Sequence, residues 1–219
     1  MPKYALLTLA LTVITGLVFF FLPDLDLNIA GRFYNPQSGF VGITPWGRIG
    51  RSIGADVPFI VPGVMLILYG LKRYGWSMPY APTGRSIAFL ALSFVLSTGV
   101  LVNLVMKDHL HRPRPSHVAE FGGAWTYRAF YQFDGQCPRN CSFPSGEASA
   151  GFWLVAPAML APAPYKPLAI AAALVFGAAT SVLRMAFGGH FLSDVLFGGL
   201  LTLLVVFGVH RLIFNKTSP

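Results

Sequence analysis

Six stretches of the chain consist almost entirely of apolar residues, and polar segments separate them. They cover approximately residues 4–22, 55–72, 86–106, 146–162, 167–185 and 191–214. A helix needs roughly 20 apolar residues to cross the hydrocarbon core of a bilayer. The pattern therefore predicts an all-α fold, a polytopic bundle of six transmembrane helices that forms one domain over residues 1–219. A long polar loop over residues 107–145 separates the third helix from the fourth. The second and fourth stretches are short, so helices there must include flanking residues to span the membrane.

Composition agrees with a membrane protein. Hydrophobic residues make up 54% of the chain and charged residues only 11%, and the mean hydropathy is +0.61. An ordinary soluble domain has about a quarter of its residues charged, so this class is excluded. The first apolar stretch has no Ala-x-Ala cleavage site and is long enough to span. We therefore interpret it as a retained helix and not as a signal peptide.

The basic residues predict the orientation in the membrane. Six crossings place both termini on one side, which then carries Lys3, Lys72, Arg73, Arg85, Lys166, Arg211 and Lys216. The positive-inside rule assigns that side to the cytoplasm. The net charge of +8 thus requires no nucleic-acid partner. The opposite side carries a second set of cations that orientation does not explain: Arg32, Arg48, Arg51, Lys107, Arg112, Arg114, Arg128, Arg139 and Arg184.

Reactive side chains are concentrated at helix ends on that opposite side, in residues 107–115, 144–147 and 184–194. His190 and Asp194 are four residues apart at the start of a predicted helix, so they share a face. A carboxylate in this position can accept the Nδ1 proton of the imidazole. Nε2 is then free to attack, and the carboxylate stabilises the cation that forms. The spacing predicts a histidine nucleophile with an orienting acid.

The surrounding residues suit a phosphate group. Lys107, Arg114 and Arg184 are cations fitted to a tetrahedral dianion, and arginine offers a bidentate fork. Ser145 and Gly146 open a helix, whose free N–H groups and dipole favour an anion. Phosphoryl transfer depends mostly on positioning and charge stabilisation. These groups can supply both, so we expect a reaction that needs neither a metal nor another cofactor.

These three motifs resemble those of the type 2 phosphatidic acid phosphatase (PAP2) superfamily. Lys107, six residues and Arg114-Pro115 match its first motif, Pro144-Ser145-Gly146 its second, and Arg184, His190 and Asp194 its third. The resemblance implies that His190 forms a phosphohistidine, which water then hydrolyses, and that Asp194 orients it. It also implies that the phosphoryl oxygens are bound by Lys107, Arg114, Ser145, Gly146 and Arg184.

The chain departs from the family pattern at one position. Glu147 follows Ser145-Gly146 where the family usually has the histidine that protonates the leaving group. A buried carboxylic acid can perform this task, so Glu147 is a candidate catalytic residue. An acid in the first helical turn is also stabilised by the helix dipole without any catalytic role. In that case the proton comes from a histidine of the polar loop (His109, His111 or His117), or the leaving group needs little protonation.

Contacts can be predicted for four further residues of the polar loop. Arg112 is predicted to contact either the phosphate or a lipid headgroup, and Asp108 to pair with a nearby cation. Cys137 and Cys141 can form a disulfide if this face is oxidising, or remain free thiols. Two thiols without further ligands make a metal site unfavourable.

The predicted function is metal-independent hydrolysis of a phosphorylated membrane lipid at the periplasmic face of a bacterial inner membrane. Candidate substrates are lipid A, undecaprenyl pyrophosphate, and phosphatidic acid or phosphatidylglycerol phosphate. Glu147 and the many outer-face cations favour polyanionic lipid A. Two competing functions remain open, a phosphotransferase that passes the phosphoryl group to a second lipid and an inactive lipid-binding or transport protein.

Overall fold

The computed structural model describes residues 2–78, 80–107 and 109–214. Asp108 and Lys216 lie outside the described residues, so the ion pair predicted for Asp108 stays a prediction. The helices are α1 (Pro2–Phe21), α2 (Leu25–Gly31), α3 (Pro45–Arg73), α4 (Gly84–Phe94), α5 (Gly146–Trp153), α6 (Val155–Ala158), α7 (Lys166–Ala186) and α8 (Leu192–Phe214). A π helix (Val95–Met106) continues α4, and two short strands, β1 (Tyr34–Asn35) and β2 (Gly39–Phe40), form an antiparallel hairpin.

Among the described residues, five helices are long and apolar enough to cross a membrane: Lys3–Phe21, Pro45–Arg73, Gly84–Met106, Lys166–Ala186 and Leu192–Phe214. In the most hydrophobic window of the first two, only 11% of the residues are buried inside the protein. Apolar side chains such as Leu6, Phe59 and Ile67 are more than half exposed instead. Such a large exposed apolar surface is typical of helices that face lipid. The all-α membrane fold is thereby confirmed.

The fourth predicted span differs from the others. It consists of two short helices, α5 and α6, which meet at Leu154 and end at Ala158. The break has a local cause, because a proline ring clashes with the carbonyl group four residues earlier, and Pro157 places that clash at Trp153. The count of six membrane spans is therefore not confirmed.

The two ends of the bundle can be recognised from contacts between helices. The rings of Tyr4 and Phe207 lie 6.4 Å apart, and both residues line a cavity together with Lys166 and His210. The start of α1, the start of α7 and the end of α8 therefore lie at one end. The segments with the predicted reactive residues (107–115, 144–147 and 184–194) meet at the other end.

Helix α5 is the centre of the bundle and is held by buried hydroxyl groups. The Ser149 hydroxyl lies 2.9 Å from that of Thr98 on the π helix and 2.6 Å from that of Thr202 on α8. Trp153 Nε1 donates to the Ser93 hydroxyl at 2.9 Å. Because buried polar groups are costly unless paired, this network fixes the position of α5. It therefore fixes the start of α5, where Ser145 and Gly146 lie.

Candidate active site

The polar loop is folded against the end of the bundle. Val118 and Phe121 pack with Ala30, Phe40 and Phe191 in a buried apolar cluster. Cys137 and Cys141 are joined by a disulfide, with their Cα atoms 5.7 Å apart. The loop is therefore anchored next to Phe191, which directly precedes α8, the helix that carries Asp194 of the third motif.

His190 is buried between the loop and α8, with 2% of its surface exposed. Its Nδ1 lies 2.7 Å from the carbonyl oxygen of Ser142 and 3.6 Å from Oδ2 of Asp194. Because a carbonyl oxygen can only accept, Nδ1 carries the hydrogen and Nε2 of the neutral ring is unprotonated. The backbone of Ser142 is thus the nearest acceptor, and Asp194 is a close negative charge behind the ring.

Burial keeps this imidazole uncharged. Removal from water lowers the pKa of His190 to about 4, although the hydrogen bond and charge of Asp194 oppose the shift. The positive charges of Arg184 and Arg114 lower the pKa further. At neutral pH the histidine is therefore in the form that can act as a nucleophile.

Asp194 is fixed by three donors at the start of α8. Its carboxylate accepts hydrogen bonds from the Ser142 hydroxyl at 2.5 Å, from the backbone N–H of Phe191 at 2.8 Å, and from the Arg112 guanidinium. The bond from Phe191 satisfies one of the free N–H groups that every helix start leaves. The carboxylate is fully buried and has little freedom to move relative to His190.

Arg112 occupies a different place from the one predicted. Only 1% of its side chain is exposed, and its guanidinium binds Asp26 at 2.7 Å and also Asp194. Its Nε donates to the carbonyl oxygen of Arg128 at 2.8 Å, and Nη1 donates to the Ser193 hydroxyl at 2.8 Å. The predicted contact with phosphate or headgroup is therefore wrong, because the tertiary fold encloses this guanidinium and all three of its nitrogens have protein partners.

The charge of Arg112 is stable despite its burial. Burial alone would lower the pKa of the guanidinium, but the charges of Asp194 and Asp26 outweigh this effect and raise the pKa above its ordinary value. The guanidinium also lies 4.5 Å from the centre of the Phe191 ring, which adds a cation–π attraction. A permanent cation therefore sits between two buried carboxylates.

Asp26 was not recognised from the sequence. It lies in α2, 86 positions before Arg112. It accepts from the backbone N–H of Ser193 at 2.9 Å and from the Ser193 hydroxyl at 2.5 Å. A residue of α2 thus caps the start of α8 and binds Arg112. No local pattern around Asp26 indicates this contact, which depends on how the two helices pack.

The residues of the second motif lie beside the third. Ser145 caps α5, since its hydroxyl accepts from the Ala148 N–H at 3.2 Å, and its own N–H donates to the Asp194 carbonyl at 3.0 Å. A Cβ atom on Gly146 would lie 2.9 Å from Oδ1 of Asn103. The start of α5 is therefore adjacent to the last turn of the π helix, and half-buried Lys107 directly follows that helix.

The two predicted phosphate-binding arginines are held differently. Arg184 is buried, and its Nε lies 3.3 Å from Oε2 of Glu147. A Cβ on Gly189 would lie 2.5 Å from Nη2 of Arg184, so only glycine admits the guanidinium at this distance. Arg114 donates through Nε and Nη2 to the carbonyl oxygen of Asn140, at 3.2 and 2.9 Å. Burial lowers the pKa of Arg114, and nearby Arg51 adds to this effect.

Glu147 bridges two arginines. Its Oε1 lies 3.3 Å from Nη2 of Arg51 on α3, and its Oε2 lies 3.3 Å from Nε of Arg184 on α7. About a quarter of its side chain is exposed. The contact of Oε1 with Arg51 is a hydrogen bond. Oε2 and Nε of Arg184 form an ion pair by distance, but neither of these buried atoms has a hydrogen-bond partner among the described residues.

The loop histidines have separate environments. The Nδ1 of His111 lies 3.0 Å from the carbonyl oxygen of Cys137, and the His117 ring lies 4.9 Å from that of Trp125. Burial lowers the pKa of His117, and the positive charge of Arg114 lowers it further. His109 is exposed.

The chain is similar to known proteins over most of its length. The sequence model of the PAP2 superfamily matches residues 88–218. A lipid A 4'-phosphatase of Francisella tularensis subsp. novicida is 33% identical over 222 residues, which covers 97% of each chain. A lipid A 4'-phosphatase of Rhizobium leguminosarum is 39% identical over 157 residues, or 71% of this chain and 67% of that protein. No solved structure gives a significant match.

The buried ion pairs of Arg112 predict a large effect on stability. Arg112→Ala would leave Asp26 and Asp194 as uncompensated buried charges, so we expect a loss of about 3–5 kcal/mol in the free energy of unfolding. The exposed pair of Arg128 with Asp134 provides the control, since Arg128→Ala should cost less than about 1 kcal/mol. Denaturant titration in detergent measures both. Equal losses would contradict the proposed importance of the buried pairs.

The lowered pKa of His190 predicts a pH dependence of stability. In the unfolded chain the imidazole binds a proton near pH 6.5, whereas in the folded protein it does so only near pH 4. The unfolded state therefore binds more protons in this window, and stability falls as the pH is lowered from 6.5 to 4. His190→Gln, which cannot titrate, should lose less stability than the wild type between pH 7 and 4. A thermal melting series at several pH values tests this, and identical slopes would contradict it.

Proposed function

This chain belongs to the PAP2 superfamily and is a membrane lipid phosphatase, and on that premise we propose that it hydrolyses a phosphate group of lipid A through a phosphohistidine formed on His190. The observation that carries the proposal is the state of His190. The ring is buried and neutral, its Nδ1 donates to the Ser142 carbonyl, and Nε2 is therefore the free nucleophilic atom.

In the proposed reaction Nε2 attacks the phosphorus atom and the bond from phosphorus to the lipid oxygen breaks. The leaving oxygen takes a proton from a loop histidine or from solvent. Water then attacks the phosphorus and the bond from phosphorus to Nε2 breaks, which releases inorganic phosphate with both protons of that water and restores the neutral imidazole. The phosphohistidine carries a positive charge on its ring. The carboxylate of Asp194, 3.6 Å from Nδ1, stabilises this charge without moving, because Arg112 and Ser142 hold it in place.

The phosphoryl oxygens are bound in this proposal by Lys107, Arg114 and Arg184 and by the start of α5 at Ser145 and Gly146. Support comes from the close packing of the Arg184 guanidinium against Gly189, which directly precedes His190, and from the adjacency of Gly146 to the end of the π helix. A dianion would offset the charge of several partly buried cations at once. Arg114 is positioned by its hydrogen bond to the carbonyl oxygen of Asn140, and Ser145 by its role as the cap of α5; phosphoryl transfer depends mostly on such positioning.

The orientation in the membrane is part of the proposal. We place the site at the periplasmic face of a bacterial inner membrane, with both termini in the cytoplasm. The contact between Tyr4 and Phe207 supports a common side for the two termini, because it pairs the start of α1 with the end of α8. The cations Lys3, Lys166 and Arg211 belong to that end, in agreement with the positive-inside rule.

Lipid A is the favoured substrate because the similar proteins are named lipid A 4'-phosphatases and because the site end is rich in arginine. Undecaprenyl pyrophosphate, phosphatidic acid and phosphatidylglycerol phosphate are the comparison substrates. Each carries a phosphate at the membrane surface, but only lipid A attaches it to a sugar.

Phosphate release from these four lipids, measured with purified protein in detergent containing EDTA, tests the function. We expect the highest kcat/KM for lipid A and full activity in EDTA. Loss of the nucleophile in His190→Ala should reduce the rate at least about 10⁴-fold, as in other enzymes that lose a covalent nucleophile. An unchanged rate in this variant would refute the mechanism, and transfer to a second lipid without free phosphate would indicate a phosphotransferase.

We propose that Glu147 contributes mainly by holding Arg184 and Arg51, and that the leaving group receives its proton from another donor. The position of its carboxylate between the two arginines supports this role, since each oxygen lies 3.3 Å from a guanidinium nitrogen. Arg184 would otherwise lack an ionic partner among the described residues.

Two substitutions separate the roles of Glu147. Glu147→Gln keeps an oxygen that accepts the hydrogen bond from Arg51 but cannot donate an acidic proton, so under this proposal kcat should stay within about fivefold of the wild type. Glu147→Ala removes the acceptor and should raise KM. General acid catalysis is worth about 10²–10⁴-fold in rate. A fall in kcat of that size for Glu147→Gln would identify Glu147 as the proton donor.

A further inference from the structure

Helix α3 carries charged residues on a surface that elsewhere faces lipid. Arg48, Arg51, Ser52 and Asp56 follow the spacing i, i+3, i+4 and i+8, which places them on one face of the helix. All four are exposed. Asp56 is the twelfth residue of α3, about 17 Å along its axis from the start. From this point to Ile67 the exposed residues are apolar, and they include Phe59 and Ile60.

Two of these charges have no protein partner among the residues that the structure describes. Arg51 pairs with Glu147 at 3.3 Å and lies 5.8 Å from the centre of the Phe187 ring. Neither the guanidinium of Arg48 nor the carboxylate of Asp56 has an ion pair or hydrogen bond within the described ranges. Ionisable residues in a membrane-spanning helix are costly, and by default they are candidates for a functional site.

The four polar residues border a common space on the outer face of α3, which is open to the surroundings. Together with Ala55 they line a cavity of about 280 Å³, which we call the α3 groove. The groove adjoins the active site through one continuous chain of charges, from Arg51 to Glu147 and from Glu147 to Arg184. The carboxylate of Glu147 therefore separates the cations of the phosphate site from those of the α3 groove.

We propose that the α3 groove binds a second phosphate group of the substrate headgroup, away from the phosphate that is hydrolysed. Arg48 and Arg51 bind this second anion, and Ser52 and Asp56 form hydrogen bonds with hydroxyl or amide groups of the same headgroup. The charges fit this assignment, since an unpartnered arginine beside a second arginine attracts a dianion. A carboxylate further along the groove accepts hydrogen bonds from sugar hydroxyls.

This inference rests on the proposed function and narrows its substrate to a lipid with two phosphates on one large polar headgroup. A headgroup with a single phosphate would fill the phosphate site and leave Arg48 and Asp56 without partners. The selectivity would thus come from the α3 groove, whereas the chemistry would come from His190.

Two synthetic glycolipids that differ only in the second phosphate test the proposal. Both retain the phosphate that is removed, and phosphate release gives kcat/KM for each. We expect the wild type to prefer the bisphosphate by about tenfold, the effect of one charge-assisted contact. Arg48→Ala should abolish this preference and leave kcat/KM for the monophosphate unchanged. Arg48→Lys, which keeps the charge, should retain part of the preference.

The control is Arg32→Ala, which removes an exposed arginine at the same end of the bundle that does not line the groove. It should leave the preference intact. Both lipids are assayed with the same protein preparation. Partial unfolding of a variant therefore lowers both rates by the same factor and leaves their ratio unchanged. A ratio unchanged in Arg48→Ala, or no preference in the wild type, would overturn the second subsite alone. No release from either lipid would overturn the proposed function itself.

Discussion

The site end of this protein depends on one buried cation between two buried carboxylates. Arg112 binds Asp26 of α2 and Asp194 of α8, and it also holds the loop through the carbonyl group of Arg128. Each charge alone would be strongly unfavourable in this position, and the group is stable only when complete. Three segments that are distant in sequence are therefore held together, and the folded loop, the start of α8 and the position of His190 follow from this contact.

The same contact explains why the histidine is neutral and correctly oriented. Asp194 shares its charge with Arg112 and Ser142, so its carboxylate is a fixed neighbour of His190 and not its nearest hydrogen-bond acceptor. The Ser142 carbonyl sets the tautomer, and burial lowers the pKa of the ring. A neutral nucleophile surrounded by cations is suited to a substrate that brings its own negative charge.

The cations at the site end fall into distinct groups once the fold is known. Arg112 is enclosed and structural, Arg184 and Arg114 lie near His190, and Arg48 and Arg51 line the α3 groove. Glu147 connects two of these groups. The positive-inside rule did not explain the excess of positive charge opposite the predicted cytoplasmic side. In the fold, this excess is divided among arginines with different surroundings.

The sequence by itself determined the properties that depend on short stretches of chain. Apolar length predicted the membrane helices, and the spacing of His190 and Asp194 placed them on one helical face, because helix geometry is local. Only the tertiary structure decided that the carbonyl group of Ser142 accepts from His190 and that Arg112 is buried against Asp26. Asp26 and Arg112 are 86 positions apart, and such a contact follows from the packing of whole helices, which no local pattern encodes.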